Sequence, residues 1–187
     1  MNKDENLSVS DISKIPLTDS DIRKYIPDIK IVNYDDLSKV NSIVQLLPNK
    51  KDAFILIYES QPNVGHWVCV IREDKKIVFF DPYGYRPDKF LSFTPKNMRK
   101  VLNQEIPHLT LLLNEALDLG FKVFFNEFEF QNRNKPSTAT CGRHVVGVIK
   151  YFASRRKPTL DKYHKLIMKL SKTHQLTPDL LISKLVP

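Results

Sequence analysis

The stretch GHWVCVIREDKKIVFFDPYG, residues 65–84, contains two runs of β-branched and aromatic residues joined by a short charged segment. The runs are His66–Ile71 and Ile77–Phe80, and Arg72–Lys76 lies between them. Such runs around a polar turn are typical of a β-hairpin. A hairpin excludes an all-parallel sheet, so helices on either side of it indicate the α+β class, with a small, mostly antiparallel or mixed central sheet flanked by helices.

The rest of the chain supplies those helices and further strands. FILIY, Phe54–Tyr58, is apolar on both faces and predicts a central strand. Thr18 followed by Asp21 resembles an N-cap with an acidic N3 residue and predicts a helix over Ser20–Tyr25. The other predicted elements are helices at Asp35–Leu47 (or a loop and a turn), Thr94–Leu102, Leu109–Leu119, Arg143–Ala153, Leu160–Lys172 and Pro178–Leu185, and strands at Lys122–Phe125 and Glu127–Phe130.

Length and composition set the broad class. With 187 residues, 42% hydrophobic and 27% charged, the chain is not disordered, collagen-like or coiled-coil. We expect one domain over 1–187, with a loose tail at 1–16 and a basic helical appendage at 155–187. The N-terminus lacks an apolar signal-like run, and no run approaches the roughly 20 residues of a membrane helix. We therefore expect a protein that is not secreted and contacts no membrane. No metal is expected, because the two cysteines have no His pair at ligand spacing beside them.

The hairpin predicts an imidazole and a carboxylate side by side. His66 opens its first strand and Asp81 follows its second. With an even-numbered turn such as Glu73–Asp74, the two residues are directly opposed, with Cβ atoms about 5 Å apart on one face. A carboxylate there would hold the imidazole tautomer and stabilise the imidazolium. A one-residue change of register would instead leave two unrelated polar residues at strand ends.

Cys141 is the candidate nucleophile. It lies between the polar segment STAT and an apolar helix that begins with Gly142. The helix dipole and free N–H groups at a helix N-terminus lower a thiol pKa and favour the thiolate, and a nearby imidazolium lowers it further. Gly142 leaves room for a substrate backbone, and a backbone N–H at this turn can face a developing oxyanion. The alternative is an unreactive capping cysteine, the interpretation given to Cys69 as a buried core residue.

A second oxyanion donor is also needed. Gln131 ends the run FEFQ, ten residues before Cys141, and its amide can donate an N–H without titrating. On spacing alone, a polar strand end is the better interpretation of Gln131.

The order His, Asp, Gln, Cys differs from papain-type enzymes, which run Gln, Cys, His, Asn. The strings GHW (Gly65–Trp67), FFDPYG (Phe79–Gly84) and FEFQ…TCGRHVVGVI (Phe128–Ile149) resemble the adenovirus-type maturation proteases, which share a fold with SUMO-deconjugating cysteine proteases. The resemblance covers residues 17–153 and is greatest to adenovirus-like proteases of large DNA viruses, virophages and Polinton-type transposons.

This resemblance implies a viral cysteine endopeptidase, active inside the virion and the host cell, that cuts capsid or other virion precursors near glycine. His66 would be the general base, Asp81 its orienting residue and Cys141 the nucleophile, with Gln131 and the Cys141 N–H as the oxyanion hole. Trp67, with Gly65 and Gly142, would line a narrow substrate channel. No cofactor is implied, although relatives are activated by a peptide or DNA. We expect a monomer.

One departure from the pattern concerns Gln131. The gap to Cys141 is ten residues here and nearer six or seven in relatives. The extra residues must bulge outward, or Asn132 or Asn134 takes the donor role.

Three other functions remain open. The first is a deubiquitinase or deSUMOylase of the same fold. The second is a chymotrypsin-like viral protease, which the helical spacing after Cys141 disfavours. The third is a non-catalytic DNA-binding packaging protein.

Most of the net charge of +8 lies near the C-terminus, where residues 150–187 hold 9 basic and 2 acidic side chains. Such a surface can bind phosphates non-specifically, although solvated lysine-rich helix faces are common. The candidate nucleic-acid-binding residues are Arg155, Arg156, Lys157, Lys162, Lys165, Lys169 and Lys172.

Overall fold

A computed structural model describes residues 7–62 and 64–187. Residues 1–6 of the predicted tail lie outside the described residues. The fold is α+β, as predicted, and is built on one five-stranded mixed sheet whose spatial order follows the chain. The outer pairs β1–β2 and β4–β5 are parallel, and the inner pairs β2–β3 and β3–β4 are antiparallel. The strands are β1 Lys30–Asn33, β2 Ala53–Gln61, β3 Val64–Glu73, β4 Lys76–Phe80 and β5 Lys122–Phe125.

Helices flank the sheet on both faces. Their bounds are α1 Val9–Ile12, α2 Asp19–Tyr25, α3 Ile43–Leu46, α4 Lys96–Val101, α5 His108–Asp118, α6 Cys141–Ser154, α7 Leu160–His174 and α8 Pro178–Leu185, with 3₁₀ helices at Tyr34–Lys39 and Lys89–Phe93. The capping box predicted for α2 is present, because the Thr18 side chain accepts from the Asp21 N–H and Asp21 accepts from the Thr18 N–H. Across the described residues, no helix is both long and apolar enough to span a membrane.

The hairpin forms with a register different from the one predicted. Its turn is Asp74–Lys75, with Asp74 in the left-handed region at φ 55°. The ladder runs from the pair Glu73–Lys76 to the pair Cys69–Phe80, which is two residues away from the register that would oppose His66 and Asp81. The direct opposition is therefore wrong. A shift of two residues preserves the face, however, so both side chains still point the same way.

Each face of the sheet has its own apolar core. On one face, Trp67, Cys69 and Ile71 pack with α6. On the other, Val68 and Val70 pack with residues of α5 and of the 3₁₀ helix at Tyr34–Lys39. Cys69 is fully buried on the face opposite His66, which confirms its interpretation as a core residue.

Two predicted elements differ from the structure. Glu127–Phe130 is not a strand: the Phe130 and Gln131 N–H groups both donate to the Pro82 carbonyl, so this segment follows the loop after β4 instead of a sheet edge. Asp35–Leu47 is not one helix. It divides into the 3₁₀ helix and α3, because Ser42 adopts an extended conformation and caps α3.

The C-terminal helices share the core of α6. Tyr163 and Ile167 from α7, and Leu181 and Ile182 from α8, belong to the same buried cluster as Val145. The basic segment 155–187 is thus attached through a continuous apolar face.

Candidate active site

The imidazole and the carboxylate predicted from the hairpin are in contact. His66 Nε2 lies 2.9 Å from Asp81 Oδ1, and both side chains are almost completely buried. Since Asp81 occupies Nε2, the remaining ring nitrogen, Nδ1, is the one left for another partner. This orientation leaves one ring nitrogen free to exchange a proton with a neighbouring nucleophile.

Asp81 is itself held on several sides. Its Oδ1 also accepts from the Tyr83 N–H at 2.7 Å. The side chain of the buried Asn126 accepts from the Asp81 N–H at 2.9 Å and donates to the Asp81 carbonyl at 2.6 Å. These bonds fix the carboxylate where β4 ends, so it does not depend on the hairpin ladder for its position.

The His66 ring is also fixed by stacking. Tyr83 lies at a centroid distance of 4.6 Å and Phe90 at 4.9 Å, both inclined by 20° to the imidazole. Aromatic rings at these distances restrict rotation of the imidazole and exclude water. Neither contact was apparent in the sequence, because Tyr83 and Phe90 follow the hairpin and no local pattern relates them to His66.

Cys141 is the first residue of α6, at the helix N-terminus predicted for it, and His66 acts on its thiol. Burial opposes ionisation, but the neighbouring His66, together with the backbone N–H groups of Trp67 and Gly142, lowers the pKa of the thiol below its usual value. The arrangement therefore favours a thiolate.

The pKa of His66 shifts in the opposite direction, upward. Burial by itself would lower the pKa of the imidazole, but the adjacent Asp81 carboxylate and the Cys141 thiolate raise it to about 10. The two shifts are in the directions that favour a buried pair of thiolate and imidazolium, which the Asp81 carboxylate supports.

Gln131 is buried near this group, but its described bonds point elsewhere. Its Nε2 donates to the Thr138 carbonyl at 2.8 Å, and its Oε1 has no partner. Asn132 and Asn134 bond to each other, since the Asn134 N–H donates to Asn132 Oδ1. The residues between Gln131 and Cys141 thus form a folded bulge, and the oxyanion role of Gln131 stays a prediction.

Trp67 and Gly142 lie on one side of the thiol, beneath the segment before α2. The Trp67 indole donates to the Leu17 carbonyl at 3.1 Å. A Cβ added to Gly142 would lie 3.1 Å from Leu17 Cβ and 3.3 Å from Trp67 Cδ1, so the absent side chain allows Leu17 to approach. Only 8% of Cys141 is exposed as a result. A groove of about 570 Å³ begins beside Trp67 and is also lined by Leu17 and Gly65.

Position 65 must be glycine for a structural reason that does not depend on substrate binding. An added Cβ would lie 2.1 Å from the Tyr58 carbonyl oxygen, inside any allowed contact. The close approach of β2 and β3 therefore requires glycine there, whether or not substrate touches it.

A second acid–imidazole pair supports the start of α6 and was missed by the sequence analysis. Asp179, from α8, accepts from the Thr140 hydroxyl through Oδ1, from His144 Nε2 at 3.2 Å and from the Asn132 N–H at 3.0 Å. Asp179 lies 38 positions beyond Cys141, so no local sequence pattern relates the two residues and only the folded structure reveals this pair.

The seven candidate nucleic-acid-binding residues are all exposed. Two of the lysines are engaged locally: Lys165 pairs with Asp161 at 2.9 Å, and Lys162 donates to the Lys157 carbonyl. The opposite face of α7 is buried through Tyr163 and Ile167. The basic stripe, which consists of Lys162, Lys165, Lys169 and Lys172, is therefore the free face of a packed helix. Within 7–62 and 64–187, no three His, Cys, Asp or Glu side chains are arranged to hold a metal ion.

The chain matches no protein-family model. Among solved structures, the SUMO protease Ulp1 with its catalytic cysteine oxidised to a sulfenic acid aligns with a TM-score of 0.43 and 16% identity, over 100% of this chain and 86% of that one. The sulfinic acid form gives 0.41 and 16%, over 100% and 87%. Both likenesses are distant.

The relation to one curated sequence is much closer. The uncharacterized protein V9 of the Sputnik virophage is 33% identical over 174 residues, which cover 91% of this chain and 93% of V9. Identity at this level over nearly the whole of both chains shows that the protein belongs to the family of virophage V9.

Proposed function

We propose that the protein is a cysteine endopeptidase in which Cys141, His66 and Asp81 form the catalytic triad. The observation that carries the proposal is the buried chain of contacts from Asp81 through His66 to the thiol at the start of α6. A cysteine with only a structural role needs no imidazole and carboxylate next to it. Burying these two polar groups without a functional role would lower the stability of the fold.

The chemistry follows from these positions. The Cys141 thiolate attacks the peptide carbonyl carbon, and the carbonyl oxygen becomes an oxyanion. His66 donates its proton to the leaving amine as the C–N bond breaks, which leaves a thioester on Cys141. A water molecule then attacks the thioester while His66 accepts its proton, and the thiolate departs. Asp81 keeps the imidazole oriented through both steps.

For the oxyanion hole we propose the Cys141 N–H and the Gln131 side chain. The first N–H groups of α6 are not used within the helix and lie beside the sulfur. Gln131 Nε2 carries a second hydrogen besides the one donated to Thr138, so its present bond is compatible with this role.

We propose virion precursor proteins, cut near glycine during particle maturation, as the substrates. Leu17 and Trp67 leave little of Cys141 exposed, so a substrate segment without side chains reaches the sulfur most easily. Membership of a virophage family supports action in the host cell and in the virion.

Deconjugation of a ubiquitin-like protein is the second candidate. The same narrow approach to Cys141 suits the glycine-rich C-terminus of such a modifier, so the triad geometry favours neither substrate. A non-catalytic packaging protein is the third candidate, and it requires Cys141 to be unreactive.

Co-expression with candidate capsid proteins, such as those encoded beside this chain, tests the first candidate. Wild-type protein should produce fragments that Cys141→Ala does not produce, whereas Cys69→Ala should cleave like the wild type because Cys69 is a core residue. Reaction only with an electrophilic ubiquitin-like probe would replace precursor cleavage by deconjugation. No Cys141-dependent product in either assay would reject protease function.

A further inference from the structure

Asp179 makes contacts that reach both sides of the bulge before the nucleophile. Its Oδ2 accepts from the Asn132 N–H, the residue directly after Gln131. Its Oδ1 accepts from the Thr140 hydroxyl, the residue directly before Cys141. One carboxylate from α8 therefore joins the two ends of residues 132–140.

This connection is built into the interior. Asp179 is 6% exposed and Thr140 is completely buried. The third partner, His144, is also buried and lies one helical turn after Thr140 in α6. Hydrogen bonds to a buried carboxylate are stronger than neutral ones, so the three groups hold one arrangement.

We propose that Asp179 is a positioning residue, which fixes the turn that carries Gln131 against the turn that carries Cys141. This inference rests on the proposed function and extends it to a residue that touches no reacting atom. The ten-residue gap between Gln131 and Cys141 would otherwise let the two oxyanion donors drift apart. The carboxylate keeps the ends of the bulge together while its middle projects outward.

The charge balance of the C-terminal segment agrees with such a role. Among residues 150–187, Asp161 and Asp179 are the only acidic side chains. Asp161 is exposed and pairs with Lys165, whereas Asp179 faces inward, away from the basic stripe. Pairing with the exposed lysines therefore does not explain an acid at position 179, although its place in the first turn of α8 also suits the helix dipole.

Asp179→Asn provides the test, because an asparagine has the same shape but one acceptor oxygen. Thr140 and His144 both bond at the Oδ1 position, so the asparagine oxygen takes that position. Its NH2 group then faces the Asn132 N–H, which loses its acceptor, and that end of the bulge is released. Ser183→Ala is the matched control: it removes a buried hydrogen bond from the same helix, to the Asp179 carbonyl, without touching the carboxylate. Thr140→Val and Thr140→Ser form a second pair, in which only serine keeps the hydroxyl.

Hydrogen exchange and steady-state kinetics are both measured. In Asp179→Asn the Asn132 amide should exchange about tenfold faster than in the wild type. With a peptide that the wild type cleaves, kcat should fall about tenfold to a hundredfold while KM stays within about twofold, because the alignment of the transition state is lost. Thr140→Val should lose kcat similarly, and Thr140→Ser should recover most of it.

Unchanged exchange at Asn132, or unchanged kcat in Asp179→Asn, would overturn the proposal, as would an equal loss of kcat in Ser183→Ala. A wild-type protein without Cys141-dependent cleavage would refute the proposed function instead. The exchange comparison would then decide by itself whether Asp179 holds the bulge.

Discussion

The isosteric change Asp81→Asn tests how the thiolate is maintained. Asparagine keeps an oxygen for the Tyr83 N–H but removes the charge 2.9 Å from His66 Nε2. A hydrogen bond to a buried charged group contributes about 1.5–3 kcal/mol. Because one pKa unit corresponds to about 1.36 kcal/mol, losing the charge of this hydrogen-bond partner lowers the pKa of His66 by about one to two units.

The consequence for Cys141 has a definite sign. In the wild type the pKa of His66 is raised to about 10 and the pKa of Cys141 is lowered, so the thiolate forms at lower pH than in an ordinary cysteine. A less stable imidazolium gives a less stable thiolate. The acidic side of the reactivity profile should therefore move up by about one to two pH units, which near pH 6 is a tenfold to hundredfold loss in rate.

The assay is alkylation by iodoacetamide from pH 5 to pH 10, followed by intact mass. Cys69 is fully buried with a raised pKa and should stay unmodified, and Cys141→Ser gives the background. Asp74→Asn is the matched control, since Asp74 is an exposed carboxylate on the same hairpin and pairs with Lys50. Coincident profiles for Asp81→Asn and the wild type, or a wild-type profile at the ordinary thiol pKa, would refute the reasoning.

Three further predictions concern stability and charge. Gly65→Ala forces a Cβ against the Tyr58 carbonyl and should reduce the free energy of unfolding by about 1–3 kcal/mol or more, measured by urea titration beside a surface change such as Thr173→Ala. Thr18→Ala removes the capping box of α2 and should cost about 1 kcal/mol in the same titration, so an unchanged midpoint would contradict the cap's role. We propose that the basic stripe contacts DNA, so the affinity for DNA should fall steeply as the salt concentration rises. Replacing Lys162, Lys165, Lys169 and Lys172 by Gln should weaken this salt dependence, and equal salt slopes for the wild type and the variant would reject the contact.

The sequence was sufficient for the parts of the site that follow from strand parity and helix ends. His66 and Asp81 share a face in any register of even offset, so their contact survived an error of two residues in the ladder. Cys141 could be placed because an apolar helix had to begin directly after a polar loop. Each of these inferences used only residues near one another in the chain.

The remaining parts depend on long-range packing. Phe90 against His66, Leu17 against Gly142 and Asp179 beneath Thr140 connect segments that no local pattern relates. Glu127–Phe130 has alternating apolar residues like a strand, yet the N–H groups of Phe130 and the next residue, Gln131, donate to the Pro82 carbonyl. Tertiary contacts overrode local propensity there, as they often do for short β-like runs.

The proposed triad joins the sheet to a helix: His66 lies on β3, whereas Cys141 is carried by α6, 75 positions later in the chain. The proposed nucleophile and its proposed base therefore come together only when the last third of the polypeptide docks onto a completed sheet. During synthesis, a chain that has emerged only as far as the hairpin contains a base without a nucleophile. Proteolytic activity would thus appear late and all at once, and it would report that folding is complete.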